Sequence, residues 1–466
     1  MNTNPDGLRL NILLISDDQH RYDCLGVWGR FPVRTPHLDQ LARDGVWHRH
    51  AYTPCALCLP ARCSLHTGLY AHQHGAVTNE GHWRFDVPTL PHVLRRAGYH
   101  TAMIGKLHVF EGLPERIDLT DPAVRRQTHR LGYDDVHEVC GKAFAWYVDC
   151  DWTHDLRRHG LLDAYRTEGQ RHMAGDDARE FPLPTTWYSD VYIADRAVRW
   201  LESYRDDRPF FLWVGLCSPH PPYDAPREYL ERHPPGSQPL PVDHPAPEAA
   251  RWPLKRRHYA AMIELVDAQV GRVLAALDAR GWRERTLVVF LSDHGEMLGD
   301  HGLDGKCHPH DPSIRVPLLA RCPPLITSGT VSDALVELTD VVATAVEVGT
   351  GDADATRHLP RTPGRSLLTH WRAPHTPVRD LVYTEDGGHF FPPHQTVRTE
   401  SWKYSFYTRD GREALFDLRA DPDECVNRAG DPAQRDVQAE LRTRAFQRLA
   451  ATPPPWGRDP RAGENV

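Results

Sequence analysis

Asn11-Ile-Leu-Leu-Ile-Ser-Asp-Asp18 and Thr286-Leu-Val-Val-Phe-Leu-Ser-Asp-His294 lie far apart in the chain but share one pattern. Each is a short apolar run that stops abruptly at ionisable residues. Tyr99 to Ile104, leading into Gly105-Lys106-Leu107-His108, repeats it, as does Phe210 to Leu216, leading into Ser218-Pro219-His220. Continuous apolar runs of this length read as strands buried on both faces. Between them lie helical patterns. Thr35 and Pro36 suit an N-cap and first turn, followed by Leu38, Leu41 and Ala42, with Gly45 as the stop. From Tyr259, the residues Ile263, Val266, Val270, Val273 and Leu277 recur at helical spacing as far as Gly281.

Strand and helix in alternation predict an α/β fold, a large and mainly parallel sheet covered by helices on both faces. In such sheets ligands gather beyond the carboxyl ends of the strands. That edge would receive Asp17 and Asp18, Lys106 and His108, His220, and Asp293 and His294 from four separate strands.

Proline-rich stretches around 234–253 and 360–377 read as long loops. Beyond the second, Leu381 to Tyr383, Gln395 to Arg398, Trp402 to Tyr407 and Ala414 to Asp417 read as short strands. A helix capped by Asp431 with Pro432 in its first turn follows them. The expected organisation is a catalytic α/β domain over 1–377 and a small C-terminal α+β domain over 378–466 with a short antiparallel sheet.

The 466 residues are ample for such a core, with 40% hydrophobic and 25% charged. A net charge of −8 without a basic tract argues against nucleic acid as a partner. No apolar run approaches a membrane span, and Ile12 to Ile15 is too short for a signal-peptide core. A cytoplasmic protein is the expectation, its ten cysteines free thiols rather than a disulfide framework. Cys55, Cys58 and Cys63 alone crowd together. The 29 histidines direct attention to metal and proton-transfer sites.

Cys58-Leu59-Pro60-Ala61-Arg62-Cys63-Ser64-Leu65-His66-Thr67-Gly68 carries the sharpest signal. It resembles the signature of the type I, formylglycine-dependent sulfatases of the alkaline phosphatase superfamily, Cys-x-Pro-x-Arg followed by Thr-Gly. Ala61 departs from the serine common in that family. The resemblance implies that a formylglycine-generating enzyme oxidises Cys58 to an aldehyde, whose hydrate attacks a small-molecule sulfate ester. One hydroxyl takes the sulfuryl group, and deprotonation of the other expels sulfate and restores the aldehyde.

The same resemblance places one divalent metal ion on Asp17, Asp18, Asp293 and His294, with the modified Cys58 completing the shell. Calcium, manganese or magnesium would suit such oxygen-rich donors, and the nitrogen of His294 moves the balance towards manganese. Lys106 and Lys306 would hold the sulfate, His108 the formylglycine hydrate, and His220 the leaving oxygen. Arg62 would brace the nucleophile, and Asn79 matches an asparagine that reaches the sulfate in some members. A helix beginning near Ala61 would aim its N-terminal dipole at the anion. Thr35 to Asp39, Ser313 to Leu318 and Leu415 to Leu418 are also family-like.

An Asp-His pair at 293–294 is shared with the phosphonate monoester hydrolase and choline sulfatase branches, so a phosphonate monoester or phosphate diester hydrolase is the alternative. A non-catalytic binding protein with unmodified Cys58 is a further one. His82, Trp83, His389, Phe390 and Phe391 are candidates to line a substrate pocket, and Tyr223 and Asp224 follow His220 closely enough to face substrate.

Overall fold

The computed structural model describes residues 9–80, 86–109, 117–173, 178–244 and 251–455. His82 and Trp83 lie outside the described residues. Eight strands form the main sheet: β1 (Asn11–Asp18), β2 (Val46–His48), β4 (His100–Gly105), β5 (Asp135–Glu138), β6 (Phe210–Pro219), β7 (Thr286–Ser292), β9 (Leu318–Arg321) and β10 (Thr330–Ser332). Their order is β10-β2-β9-β7-β1-β6-β4-β5. The block from β7 to β5 is parallel throughout, as the strand-and-helix alternation predicts, while β9 runs antiparallel to both neighbours.

The side-chain period of two divides these strands between two cores. Leu13 and Ile15 of β1, Leu212 and Val214 of β6, and Val288 and Phe290 of β7 enter one cluster. Ile12 and Leu14, Phe211 and Trp213, and Leu287 and Val289 enter the other. The first face is covered by helices Ser189–Ser203 and Trp252–Ala279. The second is covered by Cys58–Thr67 and Leu338–Thr350. Each fully buried leucine or phenylalanine contributes about 1.5–3 kcal/mol, so both layers are strongly held.

Some boundaries differ from the sequence reading. The helix expected from Tyr259 starts at Trp252, inside the proline-rich stretch, because Pro253 sits in its first turn where no amide hydrogen is needed. Thr35 does flank the helix Pro36–Arg43 but its side chain does not cap it; the hydroxyl donates to Asp39 Oδ1 at 2.8 Å. The helix expected near Ala61 begins a turn earlier, at Cys58, because the Leu57 carbonyl already accepts from Ala61 N–H at 2.9 Å.

A small three-stranded sheet joins β3 (Ala51–Tyr52), β8 (Arg315–Val316) and β11 (Val336–Glu337). Towards the C-terminus, β12 (Val382–Asp386), β13 (His394–Arg398), β14 (Trp402–Tyr407) and β15 (Glu413–Asp417) form an antiparallel sheet in sequence order. Asp431 caps the turn Pro432–Gln434, and the helix Arg435–Ala451 then packs Leu441 and Ala445 against Val397, Tyr404 and Leu415 of that sheet. No helix among the described residues is long and apolar enough to cross a membrane.

Candidate active site

Register brings the ionisable strand ends together. Asp17 pairs with Ser292 across β1 and β7, so Asp293 follows at the same edge. Gly105 pairs with Gly215 across β4 and β6, which puts Lys106 there too. This closeness requires glycine: a Cβ on Gly215 would meet the Lys106 carbonyl oxygen at 2.4 Å.

Into this edge points the N-terminus of the helix Cys58–Thr67, with Cys58 as its first residue. Cys58 Sγ lies 2.7 Å from Lys306 Nζ and 3.2 Å from His294 Nε2. Asp18, Cys58, Asp293 and His294 are all buried, and one ligand atom of each lies within 4.8 Å of the others. His294 Nδ1 lies 2.9 Å from the Gly295 carbonyl oxygen, which turns Nε2 towards the cluster.

Arg62, one helical turn after Cys58, spans the two carboxylates. Its Nε donates to Asp293 Oδ2 at 2.9 Å and one terminal nitrogen to Asp18 Oδ2 at 3.0 Å. The other terminal nitrogen donates to the Lys106 carbonyl at 2.7 Å. Lys106 Nζ itself sits 2.5 Å from Asp18 Oδ2. One guanidinium therefore fixes three strand ends, a task its rigid planar fork suits.

Electrostatics follow from this crowding of buried charge. Burial alone would raise the Cys58 thiol, but Lys306, His294 and Lys106 outweigh it and hold the group well below the ordinary thiol range. Burial, then Lys306 and Lys106, push His220 down to about 4. Burial also works to lower His294, yet the neighbouring Asp293 carboxylate wins and raises it. His108 is lowered, chiefly by burial. It packs on Phe144, ring centres 5.0 Å apart.

Asp17 stands apart from the other four expected ligands. Its Oδ2 is 2.6 Å from His20 Nδ1, and it does not belong to the four-residue cluster. Its Oδ1 is buried with no hydrogen-bond partner, which suits an oxygen meant for an ion. Three carboxylates and an imidazole, with cations arranged outside them, fit a hard to borderline divalent metal.

A family model described as sulfatase matches residues 10–351, and one described as N-sulphoglucosamine sulphohydrolase, C-terminal, matches residues 299–451. The chain belongs to the sulfatase family. It is 30% identical to the multifunctional alkaline phosphatase superfamily protein PehA of Trinickia caryophylli, over 91% of this chain and 92% of that one. It is 29% identical to an arylsulfatase of Clostridium perfringens, over 90% of each chain. The phosphonate monoester hydrolase of Silicibacter pomeroyi superposes with a TM-score of 0.78 at 25% identity, covering 95% of this chain and 96% of the other.

Not every residue expected at the sulfatase centre is placed as a ligand. Asn79 Oδ1 accepts from Leu59 N–H at 3.1 Å, so it supports the first turn of the Cys58 helix. Tyr223 and Asp224 are buried, Asp224 taking Lys142 Nζ at 2.8 Å and the Tyr188 hydroxyl at 3.0 Å. The Tyr223 hydroxyl donates to Glu296 Oε2 at 3.3 Å, so both residues brace the loop after His220. Phe391 packs on His308 with ring centres 3.9 Å apart, and Phe390 is exposed beside His389. Cys55 and Cys63 are buried in apolar clusters, and all ten cysteines are free thiols.

Residues not anticipated complete the site. Gln19 N–H donates to Asp293 Oδ1 at 3.1 Å, while its side-chain oxygen accepts from Lys306 Nζ at 2.9 Å. Glu296 takes the Gln19 amide and the N–H groups of Leu298 and Gly305, which shapes the turn that delivers Lys306. Gln19 and His20 directly follow Asp17-Asp18, and that adjacency was the available signal.

Proposed function

We propose that the protein hydrolyses a sulfate ester, using as nucleophile the hydrate of a formylglycine made from Cys58 by a formylglycine-generating enzyme. The observation that carries this reading is the position of Cys58: first residue of a buried helix, its Sγ 2.7 Å from Lys306 and 3.2 Å from His294. A divalent ion, calcium, manganese or magnesium, would be held by Asp18, Asp293 and His294, with Asp17 through its unpartnered oxygen. When bound, the ion supplies charge neutralisation and favours the deprotonated nucleophile.

The remaining work falls to the chain's own groups. Lys106 and Lys306 bind the sulfate and offset the charge that gathers on its oxygens as the S–O bond breaks. The helix N-terminus adds its dipole in the same sense. His108 holds one hydroxyl of the hydrate. His220 passes a proton to the leaving oxygen. Arg62 keeps Asp18 and Asp293 at a fixed separation.

The alternative is a phosphonate monoester or phosphate diester hydrolase on the same scaffold. His294, the likeness to a multifunctional relative and the likeness to a phosphonate monoester hydrolase favour it. Both reactions load negative charge onto oxygens that the same cations stabilise. Comparison of kcat/KM for matched aryl sulfate and aryl phosphonate monoesters, on protein with confirmed formylglycine, separates them. The proposal expects the sulfate to be preferred; a large preference for the phosphonate would reverse it.

A further inference from the structure

Nine of the ten cysteines are buried, and the exposed one, Cys425, lies in the turn after β15. It has company. Ligand atoms of Asp243, His301 and Cys425 lie within 4.8 Å of one another, in a group that shares no residue with the cluster around Cys58.

Each of the three comes from a loop fixed by bonds of its own. His301 N–H donates to the Val242 carbonyl at 2.8 Å, and Val242 N–H donates to Asp300 Oδ1 at 2.8 Å, so the Asp243 and His301 loops are laced together. Asp300 is itself anchored by Arg21 at 2.8 Å and Arg256 at 2.6 Å. On the third side, buried Glu424 accepts from Asp311 N–H at 2.8 Å and pairs with Lys403, which seats Cys425 beside it.

The spacing is that of ligands rather than of a hydrogen bond. His301 Nδ1 is 3.6 Å from Asp243 Oδ2, too long for a hydrogen bond. Two ligands of a tetrahedral ion with bonds of about 2.0–2.1 Å are separated by about 3.3 Å.

We propose that Asp243, His301 and Cys425 form a surface zinc site that ties the C-terminal turn to the loop leading into Lys306. One thiolate, one imidazole and one carboxylate are a donor set for a borderline ion such as Zn2+, and the sulfur disfavours calcium and magnesium. Binding would release the thiol proton to solvent, and water would take the fourth position.

The test uses the full-length Cys58→Ala protein, so that no thiolate remains in the catalytic cluster, titrated with Co2+ as an optical probe for Zn2+. A near-ultraviolet thiolate-to-Co2+ charge-transfer band is expected, saturating by two equivalents because the catalytic carboxylates also take the ion, and bleached by Zn2+. Adding Cys425→Ser should abolish the band. Adding Asp243→Asn, at an exposed position, should weaken Zn2+ binding at least tenfold with the melting temperature of the metal-free protein unchanged. Absence of the band in Cys58→Ala, its survival in the Cys425→Ser protein, or unchanged Zn2+ affinity in a folded Asp243→Asn protein would each overturn the proposal.

Discussion

Lys306 Nζ stands 2.7 Å from Cys58 Sγ, and the Gln19 side-chain oxygen, 2.9 Å away on another side, holds it there. On the proposed mechanism, a fixed ammonium beside the side chain that would carry the nucleophilic oxygen is most useful when charge grows on the substrate. Lys306→Met should lower kcat/KM for an aryl sulfate by about 10²–10³, the effect of removing one preorganised donor. Lys306→Arg should recover only part of this, because a planar fork cannot replace a compact charge. Steady-state kinetics on protein with equal formylglycine content checks both.

Arg62 is the only cation whose bonds reach both Asp18 and Asp293 among the hydrogen bonds of the described residues. Without metal, Arg62→Met strips the guanidinium from buried Asp293 while Asp18 keeps Lys106, and unfolding free energy should fall by about 3–5 kcal/mol. Saturating divalent ion should restore part of it, since the ion compensates the same charges. Urea unfolding with chelator and with metal measures the difference; a loss under about 1 kcal/mol without metal would contradict this role.

His220→Ala should depend on the leaving group. For an alkyl sulfate the loss in kcat/KM should be about 10²–10⁴, the usual range for general acid catalysis, and for an activated aryl sulfate much less. Equal losses on both would remove His220 from proton transfer.

Stability should carry a pH signature from His72 and Glu385, whose Nδ1 and Oε1 are 2.8 Å apart and join the segment after the Cys58 helix to β12. Burial opposes both charges, but each partner outweighs it, so His72 is raised from 6.5 and Glu385 lowered from 4.5. The Glu385 share is complete above its ordinary value and is lost as pH falls through its lowered folded value. The His72 share is complete below its ordinary value and is lost as pH rises through its raised folded value. His72→Gln should therefore cost about 1–2 kcal/mol near pH 6 and clearly less near pH 9, as measured by urea unfolding.

The parts of this site legible in the sequence are those written within a few consecutive residues. A buried parallel strand must be apolar, and the edge that binds must be ionisable, so the joins at Asp17-Asp18, Gly105-Lys106, Pro219-His220 and Ser292-Asp293 announce themselves. Contacts made across the fold leave no such local trace. Nothing near Asn79 says that its oxygen serves Leu59 N–H, and nothing near Asp224 says that Lys142 neutralises it. Asp17 shows the limit well: its type and place suit a metal ligand, yet only the fold reveals that His20 takes one of its oxygens. Helix ends are hard to read locally for a similar reason. Pro253 reads as a loop residue until its place in a first turn is known.

The most direct test of the account is the mass of the peptide that contains Cys58, from protein purified from its native host. The account predicts that CH2SH has become CHO, with the mass lowered by that difference and the aldehyde captured by a hydrazide. A fully retained thiol at Cys58 in protein that nevertheless turns over sulfate esters would contradict it.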